Sequence, residues 1–473
     1  MSSTPVIDVE HLHLAYGDFH AVKDVSFRVA RGELYALLGT NGAGKTSTLE
    51  IVEGHRRATS GTVRVFGRDP RDRAAVRPRM GVMLQESGFS PDLTVAESVR
   101  LFGELSRRRD SVPRVLAVAG LTHKAGTRAA QLSGGEKRRL DFATAVYGTP
   151  ELVFLDEPTT GLDIQSRDAL WDAVDRLRED GSTVVLTTHY LEEAQQRADR
   201  IGLMHRGTLH QEGTVHELTR TLPATIRFTL ADGAPELPLP AVRRDDGRVL
   251  VETFDLQADL YTLLGWAHAH ATELRGSRRG RPGSTTCSVP STTRSRPPAP
   301  GKRLPDLPVS PKGLSTMLAI ALSELIQIFR NRSVLLAGFL IPVVPCAFFV
   351  YRHEVFEDLA GLGYIAAVVV CTVGAFGLYT TTVTTLASRR QTLFLKRLRS
   401  TPAGDATILL GLMLPVTVLA LLQVTVILVV LSAVTGGPAQ VPLLVAAIVA
   451  TVAMMLGLGL ATAGLTNSPS TPR

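Results

Sequence analysis

The stretch Gly39–Ser47, read GTNGAGKTS, constrains this chain more than any other. It follows an apolar run, Leu34–Leu38, and precedes a helix-compatible segment that begins near Lys45. A strand, a glycine-rich turn and a helix in that order match the phosphate-loop pattern G-x-x-x-x-G-K-[ST]. Glycines let successive backbone N–H groups turn inward around phosphate oxygens without side-chain clash, and the helix N-terminus adds partial positive charge. The pattern therefore predicts a triphosphate held by Gly39, Asn41, Gly42, Ala43, Gly44, Lys45, Thr46 and Ser47. Lys45 is expected to reach the β- and γ-phosphates, and the Thr46 hydroxyl to ligate Mg2+.

A chain of 473 residues has room for two or three domains, and its apolar residues are unevenly spread. Residues 1–310 read as soluble, whereas 333–466 are mostly hydrophobic. The net charge of +7 sits largely in a linker and beside the hydrophobic segments. That placement points to juxtamembrane charge, and no nucleic-acid partner is expected. Cys287, Cys346 and Cys371 have no metal-ligand spacing and imply no disulfide framework. The N-terminal MSSTPVIDVE lacks a hydrophobic signal core, so the soluble half is expected in the cytosol.

From Val6 to Val29 apolar and polar residues alternate, as in antiparallel strands. Tyr16 falls in a turn, where its ring either packs locally or stacks on an adenine base. After the phosphate loop come strands predicted in 60–70 and 80–88, the second ending near Gln85, then mainly helix over 92–146. Within that stretch LSGGEKRRL places Ser133, Gly134 and Gly135 at a helix start, a second anion-accepting turn. Leu152–Leu155 is an apolar strand ending in Asp156 and Glu157. Carboxylates at a strand's carboxyl end suit the ligand crevice of a parallel sheet. Asp156 is expected to hold Mg2+ through water, and Glu157 to orient the attacking water. The strand TVVLTTH ends in His189, expected near the γ-phosphate.

Taken together, GTNGAGKTS, Gln85, LSGGEKRRL, LVFLDEPTTGLD and LTTHYLEEA resemble the nucleotide-binding domain of an ABC transporter over about residues 6–215. The resemblance implies an α/β P-loop NTPase fold, the ABC cassette, here followed by an all-α transmembrane domain. It implies that Tyr16 stacks on adenine, that Gln85 is the Q-loop residue and a metal contact, that Asp163 is the D-loop aspartate and that His189 is the switch histidine. In that family two cassettes pair head to tail, so Ser133–Glu136 of one meets ATP on the phosphate loop of the other. Thr40 stands where the family usually has proline.

Residues 216–275 carry two strand-like runs, ATIRFTL and RVLVETF, and a helical pattern over Leu256–His270. They resemble the small α/β appendage of drug-resistance ABC ATPases of the daunorubicin-exporter type. The stretch 276–311, rich in Pro, Arg, Ser, Thr and Gly, is expected to be a disordered linker. Its Gly283–Ser288, read in a shifted frame with GC-rich codons, would give Leu-Asp-Asp-Val-Phe, a segment with which that group closes the appendage. Separate ATPase and permease genes joined by a frame change, or an ordinary fusion linker, both fit.

Residues 312–473 are expected to form the membrane domain. Lys312–Ser333 reads as an amphipathic surface helix with Leu318, Leu322, Leu325, Ile326 and Phe329 on its apolar side and Glu324, Arg330 and Arg332 among its charges. Four apolar stretches follow, near 333–350, 359–387, 406–435 and 441–465, each long enough to span a bilayer. Arg389, Arg390, Lys396, Arg397 and Arg399 crowd the loop between the second and third. Positive-inside logic places that loop beside the ATPase on the cytoplasmic side of the cell membrane. RRQTLFLKRLRSTP also resembles the cytoplasmic segment of ABC-2-type exporter permeases, where a short helix docks on the ATPase. Such permeases usually have six spans, and this sequence ends after four in the polar NSPSTPR.

The reading that follows is ATP-driven export of a small hydrophobic compound, such as a drug or antibiotic, by a dimer in contact with membrane lipid. The alternative is a truncated or frameshifted membrane-anchored ABC ATPase that needs a separate permease. A soluble ABC ATPase of DNA repair or translation is disfavoured by the spans and the single phosphate loop.

Overall fold

The computed structural model describes residues 4–220 throughout, and 224–280 and 314–465 with short interruptions. Gly283–Ser288, most of the linker and the polar tail lie outside the described residues. In chain order, strands β1 (Ile7–Tyr16), β2 (Phe19–Val29) and β3 (Leu34–Leu38) lead to helix α1 (Lys45–Val52). Next come β4 (Ser60–Val65), α2 (Arg73–Val76), β5 (Met80–Met83), α3 (Val95–Ser106), α4 (Val112–Val118) and α5 (Gly134–Val146). β6 (Leu152–Asp156), α6 (Ile164–Glu179), β7 (Thr183–Thr188), α7 (Leu191–Arg197), β8 (Arg200–His205), β9 (Thr208–Thr214) and α8 (Val215–Arg220) follow. The appendage holds β10 (Ala224–Thr229), β11 (Val242–Arg243), β12 (Arg248–Thr253), α9 (Leu256–Ala269) and β13 (Arg275–Gly280). The C-terminal helices are α10 (Leu314–Arg330), α11 (Ile341–Tyr351), α12 (Leu362–Thr372), α13 (Thr380–Gln391), α14 (Phe394–Arg399), α15 (Asp405–Thr435) and α16 (Val441–Leu465).

These elements gather into two compact units. One contains the chain up to Leu49, residues 58–63, and the stretch from Thr183 through the appendage. In it β1 pairs antiparallel with β2, and Val6, Ile7, Val9, Leu12 and Leu14 turn inward, the alternation expected of a sheet with one wet face. β3 runs parallel to both β7 and β8, with Leu34 opposite Val184 and Ala36 opposite Ile201. β3 and β7 are buried along their whole lengths, β3 as a continuous apolar run and β7 with its three threonines also buried. The appendage is an antiparallel sheet, ordered β11-β12-β10-β13, and Leu263 and Trp266 of α9 pack on Ile226, Phe228, Val249 and Val251. The first residues that the sequence assigns to the linker, 276–280, instead belong with Arg275 to strand β13, paired with β10. Backbone pairing to an existing edge makes this strand, although its composition carries no strand pattern.

The other unit contains residues 50–57, 64–182 and the C-terminal helices. β5 and β6 run parallel and fully buried, with Met83 opposite Leu155. α3 opens with a capping box: Thr94 Oγ1 accepts from the Glu97 N–H, and the Glu97 carboxylate accepts from the Thr94 N–H. One apolar core joins Val99, Phe102 and Leu105 of α3 and Leu140 of α5 to Ile320, Phe394, Leu398 and Leu412.

Three helices among the described residues are long and apolar enough to cross a membrane: Gly363–Gln391, Asp405–Val434 and Val441–Gly464. The first includes a π-helical stretch, Val373–Tyr379. Of the expected span at 333–350, the described helix is α11, whose 11 residues are too short to cross alone. α10 is a helix as expected, but Leu318, Leu322 and Phe329 are exposed while Ser323, Glu324 and Gln327 are buried. The reversal has a cause: Arg389 Nε and Nη2 grip the two Glu324 carboxylate oxygens at 3.0 and 2.9 Å, so the charge is buried as a pair.

Candidate functional site

In the first unit the loop after β3 has the geometry its glycines predict. A Cβ on Gly39 would lie 2.4 Å from the Met204 carbonyl oxygen. Gly44, at φ +100°, would put one 2.7 Å from the Ala21 carbonyl oxygen. No side chain fits either position without moving backbone. The Ala43 N–H closes the turn on the Thr40 carbonyl at 3.1 Å, so Thr40 serves through its backbone where the family usually has proline. The N–H groups of Lys45, Thr46 and Ser47 lie in the first turn of α1, at the positive end of the helix dipole. The buried Lys45 lays its Nζ over the loop, donating to the carbonyls of Gly39 at 2.7 Å and Thr40 at 3.2 Å. A concave run of amides, a helix N-terminus and an ammonium converge, a fit for phosphate oxygens. Asn41 and Gly42 form the exposed tip. Tyr16 ends β1 opposite Phe19, both exposed. His189 follows β7, exposed, with its ring 4.0 Å from that of Tyr190.

In the second unit the register of β5 and β6 brings their carboxyl ends side by side, so Gln85 follows one strand while Asp156 ends the other and Glu157 follows it. Asp156 is buried. Glu157 has φ +47°, a left-handed conformation uncommon for a non-glycine residue and one that collects at functional sites. Arg138 stabilises this junction. It donates to the Leu84 carbonyl at 2.6 Å, the Gln85 carbonyl at 2.9 Å, the Glu157 carbonyl at 2.6 Å and the Asp156 carbonyl. Sequence reading missed it, because one more charge in the run EKRRL looks like a solvated helix face. The available signal was its spacing of four and seven residues from Phe142 and Ala145, buried residues on the same face of α5.

Ser133 and Asp163 also have local work. Ser133 Oγ accepts from the Glu136 N–H at 3.2 Å while Glu136 accepts from the Ser133 N–H at 2.8 Å, a second capping box. Glu136 thus already supplies negative charge at the α5 N-terminus, and Gly134 and Gly135 form its first turn. Asp163 caps α6 by accepting from the Ser166 N–H at 2.7 Å. The expected Mg2+ contacts, Thr46, Gln85 and Asp156, are all oxygen donors, the type this ion takes. Among the described residues no three His, Cys, Asp or Glu gather into a cage.

A second constellation surrounds α14. Arg397 donates to the carboxylate of Asp141, to Thr144 Oγ1 and to the Ser87 carbonyl, two residues past Gln85. Its guanidinium lies 3.8 Å from the centroid of the Phe89 ring. Phe394 sits edge-on to Phe102 at 6.0 Å. Arg397 and Asp141 are both buried, and burial pushes the arginine down and the carboxyl up while each opposes the other's shift. Lys396 pairs with Glu50 at 2.6 Å, and Ser400 Oγ lies 3.2 Å from His55 Nε2. Beneath them Glu53 is buried near Asp156, and burial raises its carboxyl to about 8. On the neighbouring face Arg330 of α10 grips both Glu97 oxygens at 2.6 and 2.8 Å. The Arg330 hydrogen bond, first among the causes, holds the Glu97 carboxyl down to about 2.

A glycine cradle with an inward lysine, and an acid pair at a buried strand end, define a nucleotide-hydrolysing cassette. The ABC transporter family profile matches residues 22–160, and an ABC-like C-terminal domain profile matches 224–278. The Nod factor export ATP-binding protein I of Ralstonia nicotianae is 36% identical over 244 residues, which are 50% of this chain and 76% of that protein. The daunorubicin/doxorubicin resistance ATP-binding protein DrrA of Streptomyces peucetius is 39% identical over 236 residues, 48% of this chain and 72% of that one. Among solved structures, an ATP-binding subunit of an ABC transporter aligns at 28% identity over 46% of this chain, with a TM-score of 0.42. The chain belongs to the ABC transporter ATP-binding proteins, and it is an ATPase.

Proposed function

We propose that this chain is the ATPase and part of the membrane pathway of an exporter for a small hydrophobic compound, a drug or antibiotic, in the cytoplasmic membrane. In this reading the C-terminal helices are an ABC-2-type permease domain, crossing the membrane several times with the ATPase in the cytoplasm. Lys45 and the amides of Gly39–Ser47 bind the β- and γ-phosphates, and Tyr16 stacks on adenine. Glu157 orients the attacking water, and Gln85 and His189 contact the reacting end. Thr46, Gln85 and Asp156 would hold Mg2+, which when bound neutralises charge on the transferring phosphate. Ser133, Gly134, Gly135 and Asp163 contact the ATP of a second cassette, so the working unit is a dimer. ATP binds the closed pair more tightly than the open one, the only way it can shift that equilibrium.

The observation that carries the export reading is the seat of α14. Arg397 of the C-terminal helices reaches the carbonyl of Ser87, on the segment that begins with Gln85. Movement at the nucleotide end of that segment is thereby passed to α13 and α15, which flank α14. The apolar character of the cargo is supported by a cavity of about 760 Å³ along α11 and α15, lined by Val343, Ala347, Leu422, Val426 and Val430. Relatives named for daunorubicin resistance point the same way. Glu157→Gln is expected to leave ATP binding intact and to cut hydrolysis about 100-fold or more. Unchanged hydrolysis by the purified chain would refute the role.

A second reading, a membrane-anchored ATPase that needs a separate permease, has one observation behind it. In the apolar window of Val441–Gly464 only 6% is buried, which leaves a large face for another helical partner. Transport by vesicles holding this chain alone, against vesicles with an added full-length permease, separates the two.

A further inference from the structure

Docking accounts for only part of the basic segment between α13 and α15. A cavity of about 560 Å³ opens among the ends of α13 and α16, the start of α15 and α14. That size lies within the roughly 300–1,000 Å³ of ligand pockets. One wall is apolar, formed by Leu386, Leu409, Leu460 and Ala463. The other carries four cations, Arg56, Arg390, Lys396 and Arg399, against two carboxylates, Glu50 and Asp405. Each carboxylate is already shared: Glu50 by Lys396 at 2.6 Å and Arg56 at 3.0 Å, Asp405 by Arg73 at 2.6 Å and Arg399 at 3.1 Å. The cavity is therefore left with a positive excess. Arg390 and Arg399 are exposed, and the pair that Arg399 makes with Asp405 is itself open to solvent.

Two chemistries adjoin here at a defined level. The apolar wall belongs to the three helices long enough to cross a bilayer, at the ends that the basic loop places on the cytoplasmic side. A ligand that fits both walls carries a phosphate for the guanidinium groups and a hydrocarbon chain for the leucines. We propose that this cavity binds one anionic phospholipid of the cytoplasmic leaflet, its phosphate on Arg390 and Arg399 and an acyl chain along Leu386, Leu409 and Leu460. Lys396 belongs to α14 and lines the same cavity, so the bound lipid also steadies the docked helix.

The proposal rests on the membrane reading given above, and its test separates the two. The full chain is placed in nanodiscs of phosphatidylcholine with and without phosphatidylglycerol, and retained lipid is counted by native mass spectrometry. The expected result is phosphatidylglycerol held at least tenfold more tightly than phosphatidylcholine. That preference is expected to vanish in the double variant Arg390→Gln/Arg399→Gln. Leu409→Gln/Leu460→Gln, which leaves the arginines in place, is expected to weaken retention as well. Equal retention of the two lipids, or a preference that survives both double variants, overturns the proposal. Displacement by glycerol 3-phosphate at similar concentration also overturns it, because a soluble phosphoester would then be the ligand. A chain that does not enter the nanodisc defeats the membrane reading as well, whereas entry without selectivity defeats this proposal alone.

Discussion

Two arginines tie the C-terminal helices to the helical part of the second unit, and they do so in opposite surroundings. Arg397 is 4% exposed at its side chain and faces Asp141 at 0%, inside a ring of Phe89 and Phe102. Arg330 is 31% exposed and meets Glu97 at 23%, within reach of water and salt. A buried ion pair gains little net energy over an apolar one, yet removing one partner strands the other charge. An accessible pair holds loosely and yields cheaply. The contrast teaches that the Arg397 pair seats α14 by specificity, whereas the Arg330 pair is only a tether on α10, which is also held by its buried Glu324–Arg389 pair. A seat that is costly to half-break transmits motion as a rigid link, and a tether allows the remaining helices to adjust.

The largest expected effect is Arg397→Ala, which should destabilise the second unit by about 3–5 kcal/mol by leaving Asp141 buried and unpaired. The fall in unfolding midpoint of the purified chain measures it. Arg397→Met with Asp141→Leu should recover most of that stability; if it does not, the two contacts differ in something other than buried charge. Phe394→Ala should cost about 3 kcal/mol through lost contact with Phe102 and the cavity left behind.

Glu53 sharpens the comparison through pH. Its carboxyl is raised in the folded chain to about 8 from an ordinary 4.5, chiefly by burial. The folded state therefore favours its protonated form. The associated stability is complete below pH 4.5 and is lost as pH rises through about 8. Glu53→Gln should flatten the decline of the unfolding midpoint between those values, and a slope equal to that of the parent would rule Glu53 out as its source. The smallest effect belongs to Arg330→Gln, under about 1 kcal/mol at neutral pH and fading with added salt. Glu97, held down to about 2, contributes above its ordinary 4.5 and loses that contribution as pH falls toward 2, so neutral pH leaves the tether intact.

The nucleotide half was legible because its chemistry is written in backbone. Gly39, Gly42 and Gly44 sit where a Cβ or a negative φ would not serve, and their spacing before Lys45 shows in one short stretch although the carbonyls that exclude a Cβ at Gly39 and Gly44 belong to Met204 and Ala21. The buried parallel strands β3 and β6 showed themselves as unbroken apolar runs bounded by turn residues. The charges that hold the second unit together were harder to read. Arg138, Glu324 and Asp141 each lie on helices whose sequence gives an ordinary mixed face. β13 was missed for the related reason that its partner edge, β10, lies far back in the chain.

Sequence alone determined the strand–loop–helix that grasps phosphate, the acid pair at a strand end and the apolar stretches of the three long C-terminal helices. Each is a matter of spacing within one or two turns. Only the tertiary structure decided which charges go inside, because a buried charge is tolerated only beside a partner of opposite sign. The partner of Arg397 lies 256 residues earlier, at Asp141, and no local pattern in either segment names the other.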